Sequence, residues 1–475
     1  MPLPSAFDPS DPSELSRVVL APRRVLLAGG AIASDIGLAI GDDGRFADVG
    51  PLADVRVRHP GRAVRALPDH LAMPGFVDAH HHLTQSFGKA LAFGEPSEIF
   101  RRVWVPLEGA LDDAALHVAA KLAALESLRG GFTTVADAGT RSEGALDAVA
   151  AAVREAGLRC VLGRICNDHG LDAQGGRDVL AAGERHLAAR RGGDLVHPSL
   201  AISVPEMASD ATLQRVAALC GEAGAVFQTH VNEHLVAVER SLVARGLRPL
   251  EHLAAVGALG PATLCAHVTL ATPSELLQLR DAGAAVAYNP VASAWKGNAV
   301  APAHLMATLG IRLGLGTDGT RSDGFRLADA AEAAQRFTHA LAVGDSSAGG
   351  GAAWLAMATA GGADALGLGT VTGAIAPGLA ADLLLVDLAV PELVPSWDLA
   401  WELVRLGNRA QIDAVIVQGR LRLRGGWPVD WDARALMDEA ARLAERAVAA
   451  APIDRIHPRS SAARAAVSAQ DRNLR

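Results

Sequence analysis

The sequence predicts an α/β protein: a (β/α)8 TIM-like barrel with a small β-sandwich domain built from both chain ends. Three observations predict it. Through the middle of the chain, short apolar, β-branched runs alternate with Ala/Leu/Arg-rich stretches of helical period. Eight such runs occur, each followed by enough chain for a crossover helix. Both flanks consist instead of short runs broken by Gly and Asp turns. At 475 residues the chain suits one large domain plus a smaller one, since an average domain has ~150.

The elements follow in order. Residues 1–70 contain the N-terminal part of the β-sandwich, with turn-rich strands over Arg24–Gly50. The barrel occupies 71–368, and its expected strands are Met73–His82, Phe132–Gly139, Arg159–Asp168, Leu200–Ser209, Ala225–His234, Ala262–Leu270, Ala284–Ser293 and Ile311–Thr320. Between them, apolar residues at helical spacing predict helices over Asp112–Arg129, Glu143–Ala156, Gly176–Arg191, Ala211–Ala223 and Pro273–Ala282. Residues 369–430, with GTVTGAIAPGLAADLLLVD and AVIVQGRLRLRGG, return to strands and complete the sandwich. In 431–475 an Ala/Arg/Glu helix closes Trp427–Ala450; beyond about Pro452 the apolar period stops, and a mobile tail is expected.

Composition excludes several functions. Lys+Arg 44 against Asp+Glu 52 gives a net charge of −8, so no basic footprint for nucleic acid or anionic lipid is expected. The N-terminal MPLPSAFDPSDPSELSRVVL lacks a basic segment followed by an apolar run, and no run approaches the ~18 apolar residues of a membrane span. Cys160, Cys166, Cys220 and Cys265 show neither C-x-x-C pairs nor a compact disulfide framework. Buried thiols in a reducing cytoplasm are the expectation.

Chemistry-bearing residues collect at strand ends, where a barrel of this kind places its active site. The first strand ends in Asp78-Ala79-His80-His81-His82, the fifth in His230-Val231-Asn232-Glu233-His234, the sixth in His267 and the eighth in Asp318. Sixteen histidines are spread over the chain, so one at a strand end would mean little. Matching residues at four strand ends mean more. Residues i and i+2 share one side of a strand, so His80 and His82 can grip one ion while His81 points outward. Imidazoles and a carboxylate bind zinc at ~2.0–2.2 Å and leave room for a reactive water.

Taken together, PGFVDAHHH (74–82), THVNEH (229–234), AHVTL (266–270) and LGTDG (315–319) resemble the amidohydrolase superfamily, in its cytosine deaminase/chlorohydrolase-like branch. GLAADLLLVD (378–387) and VIVQGRLRLRGG (415–426) resemble that family's return into its sandwich domain. The resemblance implies His80, His82, His230 and Asp318 as metal ligands, Glu233 as acid/base, and His267 as the group that holds water or polarises substrate. It implies one divalent ion, with Zn2+ first and Fe2+ or Mn2+ compatible with the same donors. Assembly as a homo-oligomer is common among proteins resembling this one.

Departures from the family fall on the substrate side. AISVPEMAS (201–209) carries no lysine, and Lys89, Lys121 and Lys296 lie elsewhere, so a lysine-bridged metal pair is not expected. Glu206 stands where many deaminases carry histidine and is a candidate substrate contact or second-metal ligand. Tyr288-Asn289-Pro290 and Thr320-Arg321-Ser322-Asp323 replace commoner runs, which makes Asn289 a candidate substrate contact. Gln85 could bind a ring carbonyl or amine, and Trp104 could stack on a flat ring or simply pack. Trp295 is a weaker stacking candidate, and Lys89 and Arg321 read as solvated charge. The expected activity is hydrolytic deamination of an aminated N-heterocycle (purine, pterin, pyrimidine or s-triazine type), a small-molecule substrate. Hydrolysis of a urea, carbamate or amide C–N bond, or of a ring C–Cl bond, is the alternative within the same site. A metal-free scaffold barrel is the alternative of another class.

Overall fold

A computed structural model describes residues 14–457 except 96–97, 143–145, 171–177, 190–192 and 346–348. Eight parallel strands form the barrel: Phe76–His81, Phe132–Asp137, Arg159–Ile165, Val196–Ile202, Phe227–Val231, Thr263–His267, Ala285–Tyr288 and Arg312–Leu315. Each pairs with its sequence neighbour. The ring closes through a parallel bridge between His81 and Asp318, with the Asp318 N–H donating to His80 O at 2.8 Å. Closure therefore runs through Asp318 and the backbone of His80, two of the candidate metal ligands.

All eight expected strands exist, but they stop earlier than expected. Their C-terminal residues turn out of the ladder into loops, and it is there, at the strand ends and just beyond, that the candidate site residues sit. Met73 belongs to another strand, Ala63–Pro74, so the expected boundary at 70/71 falls inside that strand. The fourth strand begins at Val196 rather than Leu200 because His197 and Pro198 continue the pairing with the third. Helix Pro273–Ala282 matches its expected bounds; Thr272 caps its N-terminus in a reciprocal pair with Glu275. The helix expected over Gly176–Arg191 spans Val179–Ala188, and its outer ends reach residues outside those described.

Both chain ends build one nine-stranded mixed sheet. Ala63–Pro74 lies between Val18–Leu26, with which it is parallel, and the C-terminal Leu383–Asp387, with which it is antiparallel. Ile412–Val417 and Arg420–Arg424 extend one side; Ile36–Ile40 and Phe46–Pro51 extend the other. Alternation along these strands sends Leu20, Leu38, Leu385 and Ile416 into the sheet's own core. Their neighbours Leu71, Met73, Leu384 and Val415 face the barrel. Inside the barrel, Val77, Ala79, Ala136, Val161, Leu264 and Ala287 pack against Ala363 and Leu366.

Helix Ala433–Ala450 starts at Asp432, whose carboxylate accepts from the N–H of Arg434 and Ala435 at 2.8 and 3.1 Å. It buries Leu436, Ala440, Leu443 and Ala447 and packs on helix Asp113–Arg129. The chain that follows was expected to be mobile, and through His457 it is instead bonded to the loop after the first barrel strand. Asp454 N–H donates to Arg102 O at 3.0 Å, and Ile456 N–H donates to the Glu95 carboxylate at 2.9 Å. Residues 458–475 lie outside those described. Among the described residues, no helix is long and apolar enough to cross a membrane, and the four cysteines are free and buried.

Candidate metal-dependent active site

At the C-terminal mouth of the barrel, His80, His82 and His230 converge. His80 and His82 are buried and His230 half-buried, and the Nε2 atoms of His82 and His230 lie 3.3 Å apart. Asp318 Oδ1 lies 3.3 Å from His82 Nε2 and 3.9 Å from His80 Nε2. Two atoms bonded to one ion at ~2.1 Å in tetrahedral geometry sit ~3.4 Å apart, so these separations suit a shared divalent cation. His80 Nε2 is buried and has no hydrogen-bond partner. His230 Nδ1 donates to Ser203 O at 2.7 Å, which leaves the Nε2 lone pair facing the centre. The donor set fits a divalent metal.

Burial pushes all three histidines below their ordinary pKa, furthest for His80 and His82; neighbouring imidazoles add to the effect at those two, and the Arg141 and Lys296 cations at His230. They are neutral, and so able to ligate, at neutral pH. His267 is completely buried and pushed down to about 4, chiefly by desolvation. The Asn289 amide meets its Nδ1 at 3.2 Å. Its Nε2 lies 3.7 Å from Glu233 Oε2 and 3.9 Å from Asp318 Oδ2.

Burial alone would raise the carboxyls of Glu233 and Asp318. Lys296 and His267 outweigh it and hold both well below the usual range. The Lys296 ammonium donates to Glu233 Oε1 at 2.8 Å and to Asp318 Oδ2 at 2.7 Å. The sequence sets this lysine off the fourth strand, so it is no bridging ligand there, and assigns it no other part in the site. It arrives at the end of the short helix Pro290–Lys296 after the seventh strand. The scarcity of lysine, three in the chain, was the signal that could have raised it.

Left-handed backbone clusters here. Among non-glycine residues, Asn232, His267, Val268 and Asp318 have φ of 50°, 74°, 52° and 57°. Such conformations are held only where the surroundings over-determine them, and they gather at functional sites. Gly316 is required for space: a Cβ there would stand 2.1 Å from Asn289 Oδ1 and 3.0 Å from His80 Cβ.

The remaining candidates divide. His81 is buried, with Nδ1 2.8 Å from Thr317 Oγ1 and 3.4 Å from Asp78 Oδ2. Asp78 also accepts from Thr317 N–H at 2.9 Å, so this group ties the first strand to the eighth. Asn289 positions the His267 ring and does not line the pocket beside it, contrary to its expected substrate contact. Gln85, Trp104 and Glu206 do line that pocket, together with Ile99, Phe100 and Met207. Glu206 is paired with Arg240 at 3.1 Å, and Arg240 also reaches Glu98 at 2.5 Å. Arg141, on the same wall, meets Glu108 at 3.0 Å and lies over the Phe100 ring. Trp295 is 40% exposed and packs edge-on against Phe93. Lys89 pairs with Glu126.

A closed parallel barrel with histidines and an aspartate at its mouth defines the class: a metal-dependent hydrolase. The chain belongs to the amidohydrolase family, which it matches over residues 71–422, and it is a hydrolase acting on carbon–nitrogen bonds other than peptide bonds. It is 30% identical over 392 residues to a 5-methylthioadenosine/S-adenosylhomocysteine deaminase of Pelotomaculum thermopropionicum, covering 82% of this chain and 88% of the relative. A 5'-deoxyadenosine deaminase of Methanopyrus kandleri is 27% identical, with 91% and 98% covered. Among solved structures, a zinc-bound adenosine deaminase from Xanthomonas campestris superposes with a TM-score of 0.83 at 26% identity, covering 91% of this chain and 98% of that one. Atrazine chlorohydrolase of Arthrobacter aurescens shares the fold, with a TM-score of 0.78 at 21% identity over 90% of this chain and 100% of that one.

Proposed function

We propose that this chain is a mononuclear, zinc-dependent aminohydrolase that converts the exocyclic C–NH2 of a purine-type ring to C=O with release of ammonia. The observation that carries the reading is the pairing of two groups at one pocket floor. A histidine–aspartate donor set suited to one divalent ion stands beside a half-buried glutamate and a buried, neutral histidine that are not part of it. The deaminase relatives support an aminated ring as substrate.

His80, His82, His230 and Asp318 Oδ1 would hold the ion, which when bound supplies the Lewis acidity that makes water nucleophilic at neutral pH. The protein's own groups do the rest. Glu233 is ionised before the reaction, so it can accept a proton from the attacking water and deliver it to the ring nitrogen beside the reacting carbon. His267 Nε2 faces the same space and can orient the water or bind the oxygen as charge develops there. Asp318 Oδ2 can pass the second water proton to the departing amine, so one water is consumed for each ammonia released. Trp104, Ile99, Phe100 and Met207 give the flat ring an apolar enclosure, and Gln85 offers it an amide.

The test is ammonia release by zinc-loaded protein on a panel of aminopurines and their nucleosides, aminopyrimidines, open-chain ureas and chlorinated triazines. Turnover is expected on the amino-substituted rings. Faster turnover of a urea or a chlorotriazine would replace this reading, and zinc-loaded protein silent on the whole panel would remove it.

A further inference from the structure

We infer that Lys296 is a built-in second cation, which holds this centre to one divalent ion by occupying the place a second would take. The inference rests on the reading of the mouth as a metal centre. Two donor sets meet there and share Asp318. The first is His80, His82, His230 and Asp318 Oδ1. The second lies on the other side of the same carboxylate. His267 Nε2, fully buried and without a hydrogen-bond partner, stands 3.9 Å from Asp318 Oδ2 and 3.7 Å from Glu233 Oε2. Those separations are near what a divalent ion spans with bonds of ~2.0–2.2 Å to imidazole and carboxylate. A bridging aspartate, an orphaned imidazole and a second carboxylate form a ligand set.

The Lys296 ammonium is bonded to the two carboxylates of that second set, at 2.7 Å to Asp318 Oδ2 and 2.8 Å to Glu233 Oε1. Local structure fixes it there. Gly297 ends the helix in the left-handed region at φ 70°, turning the chain so that Asn298 Nδ2 also reaches Glu233 Oε1 at 3.3 Å. An ammonium neutralises the carboxylates as an ion would, but it cannot accept the His267 lone pair, so that nitrogen stays available to water and substrate. Glu206 cannot complete a second site from the fourth strand, because Arg240 holds it. Lys296 is thus a positioning residue. It fixes one oxygen of Glu233 and one of Asp318, and it repels a second divalent ion.

The test counts ions and needs no substrate, so it stands whether or not deamination is the right chemistry. Wild type, Lys296→Met and Lys296→Arg are equilibrated with excess Mn2+ or Zn2+, desalted, and measured for metal per chain. Wild type and Lys296→Arg should hold one ion and Lys296→Met two. The Mn2+ form of Lys296→Met should give a spin-coupled electron paramagnetic resonance spectrum, where wild type gives that of an isolated ion. If Lys296→Met holds one ion, or holds two that are not coupled, the inference fails. Lys296→Gln serves where the apolar variant does not fold, with the same two outcomes. Two ions in wild type would overturn the mononuclear reading itself.

Discussion

Two charge clusters at opposite ends of the barrel, one buried and one half-buried, are built on different terms. At the base, Arg159 on the third strand meets Asp382 from the terminal sheet, with both side chains almost wholly buried. Every oxygen of Asp382 is used: Oδ1 accepts from Gln418 N–H at 2.6 Å and from Arg159 at 3.3 Å, and Oδ2 from Arg159 at 3.0 Å and Thr372 at 2.7 Å. At the mouth, Lys296, Glu233 and Asp318 also pair, yet His80 Nε2, His267 Nε2 and Asn289 Oδ1 are left without partners. Left-handed non-glycine backbone occurs at both ends, at Gln418 (φ 51°) in the base and at Asn232, His267, Val268 and Asp318 at the mouth. A buried polar group without a partner costs ~1–3 kcal/mol, so a completed network holds a junction together while an incomplete one waits for a ligand. On the proposed reading, the base serves stability and the mouth serves chemistry.

Substitutions at the two ends should therefore fail in different ways. The largest effect is expected for His80→Ala, His82→Ala and His230→Ala. Each should lose the ion and all measurable turnover, while the metal-free unfolding midpoint stays near that of metal-free wild type. A variant that keeps its ion and its turnover would break the division of roles. Glu233→Gln should keep the ion and lose roughly 10²–10⁴-fold in turnover, as expected for loss of general acid–base catalysis. Metal content measured beside the steady-state rate separates that result from ligand loss.

At the base, Asp382→Ala leaves a buried guanidinium unpaired. It should lower unfolding free energy by ~3–5 kcal/mol in urea titrations, with kcat/KM per folded molecule unchanged. A fall in kcat/KM matching that at the mouth would show that the two clusters are coupled. The smallest effects should come from the rim. Glu206→Ala releases Arg240 from one of its two carboxylates and should lower kcat/KM about tenfold, ~1.4 kcal/mol, with the ion retained. Glu95→Gln weakens the anchor that ties residues 454–457 to the loop bearing Ile99 and Trp104. It should raise KM a few-fold and speed hydrogen exchange at those loop amides, with kcat changed least.

Much of the mouth was legible in the sequence because its signals are local. His80 and His82 share a face by strand geometry alone, and Glu233 follows His230 by three residues on leaving one strand. The residues that were missed or misassigned are those whose roles depend on partners far along the chain. Lys296 meets Glu233 across 63 positions, and Arg240 meets Glu98 across 142. No periodicity carries such pairings. Asn289 was read as a substrate contact from its place after the seventh strand, but the loop turns its amide to His267 instead. Asp137, which accepts from the Leu83 and Gly139 N–H groups and is pushed up to about 6 by burial, gave no motif to read.

The eight barrel strands, their order and the ends at which chemistry gathers were set by apolar runs, β-branched residues and caps acting over a few positions. The tertiary structure decided what depends on closure. It joined strand Ala63–Pro74 to Leu383–Asp387 in one sheet, and it sealed the barrel through His81 and Asp318. It also tied Glu95 to the chain beyond the last helix and chose which cation stands between Glu233 and Asp318. The physical reason is one of range. Backbone preference and side-chain alternation are written residue by residue, whereas the partner of a buried charge is whichever group the packed crossovers bring within about 3 Å of it.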